Sequence, residues 1–203
     1  EARPNYGWLG GGRSEKIGND PTRRWIVDPL DGTSNFLHGI PHWAISIGLE
    51  HKNEIVSGII YDPIKDEMFT AEKGQGAWLN DRRLRVSNRK NMFEMLFATG
   101  MPFGEKDGLD TTLNELAKLM PRCAGIRRNG AAALDLAYVA AGRLDGYWER
   151  NLQAWDIAAG LLIAREAGAL IEGMVKTENP MASGNLICTN NFIFESFAKI
   201  LRQ

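Results

Sequence analysis

Cysteine is nearly absent from this chain. Cys123 and Cys188 are the only two in 203 residues and lie far apart, so a disulfide framework is excluded and a reducing compartment is the expected setting. Both read as small core residues. An excess of either charge is lacking too: the formal net charge is -1 and the pI about 6.4. No global field draws the protein to nucleic acid or to an anionic membrane, and neither is an expected partner. No apolar run reaches the roughly 18 to 20 residues needed to cross a bilayer, and the start is not signal-like, which makes a cytoplasmic protein the expectation. An initiating Met is also missing. The chain opens with Glu1, and "EARPNYGWLGGGRSEKIGND" reads as the middle of a domain, so upstream sequence is expected. Internal repeats, coiled-coil heptads and low-complexity tracts are likewise missing.

What is present is an ordinary globular composition, 44% hydrophobic and 24% charged, enough for one core or two small lobes sharing an interface. Residues 10 to 20, "GGGRSEKIGND", are rich in Gly and polar residues without periodicity and predict a mobile loop. A strand at 24 to 28 follows, then one short helical turn in "SNFLHG". Strand-like runs at 43 to 50, 55 to 61, 67 to 72 and 76 to 86 are separated by turn chemistry, which predicts an antiparallel meander. "MLFATG", "RCAGIRR", "DGYWE" and "NLICTN" read as further strands. Helices are predicted over 110 to 120, with an Asp or Thr cap and Leu113, Leu116 and Ala117 on the buried face, over 131 to 141 with Gly142 as its stop, over "WDIAAGLLIAREAG", and over the terminal "FIFESFAKILRQ". The sum is a layered α/β sandwich of the α+β kind, helices alternating with mostly antiparallel sheet. One domain over 1–203 is expected, with lobes at about 1–105 and 106–203.

Within this frame "WIVDPLDGTSNF" stands out. Asp28 and Asp31, three apart across a proline, can aim two carboxylates and the Leu30 carbonyl into one small space, and hard oxygen ligands of that kind suit Mg²⁺. Gly32, Thr33 and Ser34 follow at a helix start, where N–H groups can hold a phosphate. A capped turn explains the same residues without any ligand. Asp156 in "QAWDIAAG" reads equally as an N-cap, "RRNGAAALDLAY" as a loop feeding a buried helix, and Glu149 as a polar strand end.

Taken together, "WIVDPLDGTSNF", "GAAALDLAYVAAGRLDGYWE" and "WDIAAGLLIAREAG" occur in the order and approximate spacing of the inositol monophosphatase family, and the chain resembles a bacterial-type member from about Tyr6 to its last residue. The resemblance implies a Mg²⁺-dependent, lithium-sensitive phosphatase with two or three ions per site. Asp28, the Leu30 carbonyl, Asp31 and Asp156 would be metal ligands, and Thr33 would help orient the attacking water. Gly32 and Thr33 would hold phosphate oxygens through backbone N–H groups. Gly130, Ala131 and Ala132 would touch the substrate, with Ala131 where a hydroxyl residue is usual, and Glu149, together with Asp156, would accept hydrogen bonds from ring hydroxyls. A small phosphorylated polyol and a homodimer are the partners implied, and two helices upstream of this chain would complete the fold.

One position departs from the family. Where members carry a metal-binding Glu-Glu pair upstream of the DPLDGT turn, counting back from Asp28 lands on Gly11 and Gly12, and neither supplies a ligand. Glu15, the nearest acidic residue, would need a remodelled loop to replace them. Three functions therefore follow: hydrolysis of myo-inositol monophosphate or a related polyol phosphate, a catalytically weakened phosphatase fold serving regulatory or antitermination contacts with protein partners, and a phosphatase for fructose bisphosphate or a nucleotide bisphosphate. Glu149 favours a neutral polyol over a second phosphate, while Arg150 leaves the point open. His38 and His42 flank the turn and read as packing or loop residues. The six tryptophans are scattered and read as core bulk rather than a stacking platform.

Overall fold

Trp25, Ile26 and Val27 begin a run of residues that alternate between two faces of a sheet, and the strands that follow are joined by tight turns. The computed structural model describes residues 3–11, 13–104 and 107–203; Gly12, half of the expected ligand-less pair, lies outside the described residues. The first sheet contains β1 (Tyr6–Gly10), β2 (Arg13–Lys16), β3 (Asp20–Asp31), β4 (Ala44–His51), β5 (Glu54–Asp62), β6 (Glu67–Glu72), β7 (Gly76–Leu79) and β8 (Arg82–Arg83). Their spatial order is β2-β1-β3-β4-β5-β6-β7-β8. From β3 onward this is the predicted antiparallel meander. The β4–β5 turn shows why: Lys52 and Asn53 both take positive φ, 52° and 64°, the geometry of a two-residue hairpin turn whose twist matches the strands. The run at 76 to 86 divides into β7 and β8 around Asn80, which itself has φ 50°.

The predicted loop at 10 to 20 is the first correction. β2 pairs antiparallel with β1, and β1 runs parallel to β3. Pairing with β1 supplies β2 with backbone hydrogen bonds that its polar, aperiodic sequence does not signal.

Along one face of the sheet, Ile26, Gly48, Gly58, Ala71 and Ala77 fall in line, and α4 (Ala154–Glu166) lies across them. A Cβ at Gly48 would be 3.1 Å from the Ala158 Cβ, and one at Gly58 3.1 Å from the Ala159 Cα; the two glycines set how closely the helix approaches. α3 (Ala132–Ala140) packs beside α4, with Leu136 filling the notch at Gly160. Both helices are apolar nearly all round because a second sheet covers them from the other side. That sheet is formed by β9 (Leu96–Thr99), β10 (Gly125–Arg127), β11 (Gly146–Glu149), β12 (Leu170–Glu172) and β13 (Leu186–Thr189), in the order β10-β9-β11-β13-β12. It is mixed, with β10, β9 and β11 mutually parallel and the rest antiparallel.

Strand alternation divides the second sheet between two cores. Ala98, Tyr147 and Cys188 face α3 and α4, whereas Phe97, Trp148 and Ile187 face α6 (Phe194–Leu201) and Leu119 of α2 (Leu109–Leu119). The layers are sheet, helix pair, sheet and helix pair, the α/β sandwich predicted. Cys188 is fully buried, while Cys123 is only partly so, and both are free thiols. In α2 the buried side chains are Thr112, Glu115 and Leu119, with Leu113 exposed, and the N-cap is Gly108. The predicted apolar face is thus corrected by about one position, because Trp148 supplies a partner for a buried carboxylate there. Two short helices, α1 (Thr33–Leu37) and α5 (Pro180–Ser183), complete the set. Among the described residues no helix is long and apolar enough to cross a membrane.

Candidate active site

In a regular strand, residues three apart point to opposite faces. Asp28 pairs with Ser46 and Asp31 with Ala44, so Pro29 and Leu30 together oppose a single residue of β4. This bulge changes the parity and returns both carboxylates to the face covered by α4. Proline costs no ladder bond at such a point. The chain then turns through Gly32, whose φ of 85° and 3.0 Å clearance between a built Cβ and the His42 carbonyl exclude a side chain, and enters α1.

Each carboxylate is fixed by one backbone donor. The Leu30 N–H donates to Asp28 Oδ1 at 3.0 Å, the Ala133 N–H at the start of α3 to Asp31 Oδ2 at 2.8 Å, and the Gln153 N–H to Asp156 Oδ2 at 2.7 Å. Asp156 is therefore not the N-cap itself. Gln153 caps α4, and Asp156 stands three residues in and bonds back to it. The Thr33 hydroxyl donates to the Leu30 carbonyl at 2.9 Å. These groups, with Trp155 and Gly11, line one open cleft. A Cβ at Gly11 would lie 3.7 Å from Asp28 Oδ1 and 3.3 Å from Trp155 Nε1, so a side chain there would enter the cleft beside Asp28. Glu15, by contrast, is turned to Arg24, 2.9 Å away.

The electrostatics of the cleft call for positive charge. Burial raises the pKa of Asp28 despite the Leu30 N–H. Burial also raises Asp31 well above the ordinary carboxylate range, with Asp28, Asp156 and Asp135 adding repulsion. Asp156 is pushed up to about 6, first by burial and further by Asp28. Across β4 from Asp28, the fully buried Ser46 hydroxyl has no protein partner. Among the described residues no three His, Cys, Asp or Glu side chains come together closely enough to hold a metal ion by themselves. An open set of mutually repelling oxygens is what Mg²⁺ uses, since it keeps waters and takes a few carboxylates plus substrate oxygens. The residues present fit such an ion.

Asp31 and Asp156 also border a second cleft of about 180 Å³, walled by Arg128, Gly130, Ala131, Ala132, Asp135, Glu149, Thr99 and Gly100. Asn35 of α1 holds the two clefts in register: its amide donates to the His42 carbonyl and to the Asn129 carbonyl, each at 2.8 Å. Ala131 is the N-cap of α3 and makes no side-chain cap bond, as expected for an alanine where a hydroxyl could cap. Asn129 donates to Asp135 Oδ1 at 2.7 Å, and burial pushes that carboxyl up to about 8. The buried Tyr147 hydroxyl donates to Glu149 Oε2. Arg150 is turned away from this cleft to the buried Glu115, with Nη2 2.6 Å from Oε1, and Trp148 Nε1 donates to the other oxygen at 2.9 Å.

All of the sequence-predicted positions therefore gather in two adjoining clefts: Asp28, Leu30, Asp31, Gly32, Thr33 and Asp156 at one, Gly130, Ala131, Ala132 and Glu149 at the other. The sequence reading missed Asp135, Arg128, Thr99 and Gly100. Asp135 carried a signal, a charged residue inside an otherwise apolar helix, whereas Thr99 and Gly100 at a strand end carried none. His42, half-buried, packs edge-on against Tyr138 with ring centroids 5.9 Å apart.

Comparison with known proteins agrees with this geometry. The sequence pattern described as "Inositol monophosphatase family" matches residues 6–203. The chain is 50% identical over its whole length to an inositol-1-monophosphatase of Rhizobium meliloti, covering 76% of that protein. It is 44% identical over 189 residues, 93% of the chain and 71% of the relative, to the Nus factor SuhB of Escherichia coli K12. Among solved structures, the extragenic suppressor protein suhB of Bartonella henselae superposes with a TM-score of 0.96 at 51% identity, over 100% of this chain and 79% of that one. An inositol monophosphatase from Anabaena gives 0.88 at 35% identity, over 98% and 79%. With the family pattern spanning both clefts and relatives of this similarity, the chain belongs to the inositol monophosphatase family, a superfamily of phosphoester chemistry.

Proposed function

We propose that this chain hydrolyses the phosphate monoester of a hydroxyl-rich alcohol, myo-inositol monophosphate or a close polyol analogue, in a Mg²⁺-dependent reaction. The observation that carries this reading is the junction of the two clefts: Asp31 and Asp156 border both, so a cation-seeking end and a hydroxyl-seeking end share a wall. Asp28, the Leu30 carbonyl, Asp31 and Asp156 would hold the ions. Once bound, divalent cations supply charge stabilisation for the phosphoryl group and a water of lowered pKa.

The chain's own residues do the rest. Backbone donors to Asp28, Asp31 and Asp156 fix the ligands before substrate arrives, which removes reorganisation from the reaction. Thr33, its hydroxyl already on the Leu30 carbonyl, stands at the lip of the first cleft and is the group placed to orient an attacking water. The start of α1 at Gly32 and Thr33 offers N–H groups without intrahelical partners to the phosphate oxygens. At the other end Glu149 accepts hydrogen bonds from the alcohol, with Gly130, Ala131 and Ala132 as the opposite wall. A second phosphate would meet the Glu149 carboxylate, and Arg150 is committed to Glu115; with Arg128 on the same wall, it is Glu149 and not the charge of the whole cleft that favours polyol monophosphates over bisphosphates. A homodimer belongs to the same reading, supported by the exposed Phe36, Leu37 and Ile40 in and just after α1, and sedimentation velocity tests it.

Gly11 supports a second reading. It stands where a side chain would reach Asp28, and without one the first metal position has one charged ligand fewer. A weakened enzyme acting mainly through protein contacts would follow, a reading in keeping with the likeness to a Nus factor. Phosphate release from myo-inositol 1-phosphate against Mg²⁺, with and without Li⁺, separates the two. Lithium-sensitive turnover by the unaltered chain upholds the phosphatase; turnover only in Gly11→Glu upholds the second reading.

A further inference from the structure

Gly100 follows β9 at the point where β9 runs parallel to β11, one step beyond the pair Thr99 and Trp148. The Thr99 hydroxyl ties the two strands by donating to the Trp148 carbonyl at 2.7 Å. A Cβ built at Gly100 would fall 1.7 Å from Glu149 Oε1, 1.9 Å from its Cδ and 2.3 Å from Oε2. The carboxylate therefore occupies the volume that any side chain at Gly100 would take. From the other side the fully buried Tyr147 donates its hydroxyl to Oε2. Glu149 is thus held between a fully buried phenol and a residue that has no side chain, and there it forms the shared wall of the alcohol cleft and the neighbouring hollow at Met101 and Glu115.

We infer that Gly100 is a specificity-determining position: its missing side chain seats the Glu149 carboxylate where it reads the hydroxyls of the alcohol, and a larger residue turns that carboxylate out of the cleft. This rests on the phosphatase reading and adds a positioning residue to it. The physical distinction from an ordinary structural glycine is clear. At Gly184 a Cβ would collide 2.1 Å from the Leu152 carbonyl oxygen, which is backbone, so the fold bears the cost. At Gly100 every nearest atom belongs to the end of a flexible side chain, so the fold can yield and recognition bears the cost instead. A displaced carboxylate leaves substrate hydroxyls without a charged acceptor, a loss of about tenfold.

The test compares two esters, myo-inositol 1-phosphate and phenyl phosphate, whose alcohol has no hydroxyls to read. In Gly100→Ala the ratio of kcat/KM for the first over the second is expected to fall about tenfold, mostly through KM of the inositol ester. The double variant Gly100→Ala, Glu149→Gln should lose no more of the ratio than Glu149→Gln alone. An unchanged ratio, or fully additive losses, overturns the inference. Should Gly100→Ala melt well below the unaltered chain, adding Glu149→Asp, which shortens the colliding side chain, must recover the melting temperature; no recovery makes Gly100 merely structural and also overturns it. If the unaltered chain hydrolyses neither ester, the phosphatase reading has failed separately, and a crystal structure of Gly100→Ala decides: Glu149 in a new rotamer supports the positioning role, and Glu149 unmoved refutes it.

Discussion

The two ends of the candidate site both contain buried carboxylates, yet they balance them differently. At the proposed metal end, Asp28, Asp31 and Asp156 each take one backbone N–H and are raised by burial, with Asp28 adding repulsion on Asp31 and Asp156, and Asp156 on Asp31. At the alcohol end and just behind it, Asp135, Glu149 and Glu115 each receive a side-chain donor: the Asn129 amide, the Tyr147 phenol and the Trp148 indole. The first arrangement stays short of positive charge and is ready for cations. The second is already compensated by side-chain donors, neutral ones at Asp135 and Glu149 and at Glu115 the Arg150 guanidinium as well. How a carboxylate cluster is compensated thus says which kind of ligand it awaits, more than the count of acidic residues does.

The most direct way to break this contrast is to remove charge from the metal end. Asp31→Asn is expected to lower kcat/KM by about a thousandfold or more, while the melting temperature in EDTA holds or rises, because the cost of ionising a buried carboxyl has gone. A fall in stability without metal would show that Asp31 serves the fold first. At the alcohol end the opposite outcome is expected: Arg150→Ala leaves Glu115 buried with only the indole, costing about 2 kcal/mol in urea denaturation and little in kcat. If kcat collapses instead, the two ends are not separable.

Gly11→Glu sharpens the comparison by adding the charge that the metal end lacks. Apparent Mg²⁺ affinity, read from the Mg²⁺ dependence of melting temperature, is expected to tighten about tenfold, with the Trp155 ring giving by a few tenths of an ångström. No change would mean that the side chain points elsewhere. The smallest effect concerns pH. Asp135 has its folded pKa raised by burial to about 8, so its contribution to stability is full below its ordinary value near 3.8 and is lost as pH rises toward 8. In metal-free protein, Asp135→Asn should flatten that decline, and an identical pH profile would show that Asp135 ionises freely.

The fold was legible where local chemistry and tertiary demand agree. Turn residues set the meander, and the stretches at 131 to 141 and 155 to 168 announced helices, which the fold buries between two sheets. It was illegible where a distant partner decides. β2 exists because β1 accepts its hydrogen bonds, and Glu115 rather than Leu113 is buried because Trp148 and Arg150 wait for it. The candidate site divides in the same way. Asp28, Asp31 and Asp156 sit in compact signatures, and Glu149 in a looser one. Thr99 and Gly100 belong to no signature, since their importance comes from β11 lying alongside.

The extra residue opposite β4, between Asp28 and Asp31, has a consequence for how this protein can vary. Odd spacing on a straight strand would send one carboxylate to each side of the sheet, and only the bulge makes the count come out even. Deleting either Pro29 or Leu30 would leave the aspartates two apart and still on one face of a straight strand, yet would remove the bulge and with it the carbonyl turn between them. A chain that tolerates most substitutions at Pro29 should therefore tolerate no change of length there, and sequence variation in this segment is confined to spelling, not to counting.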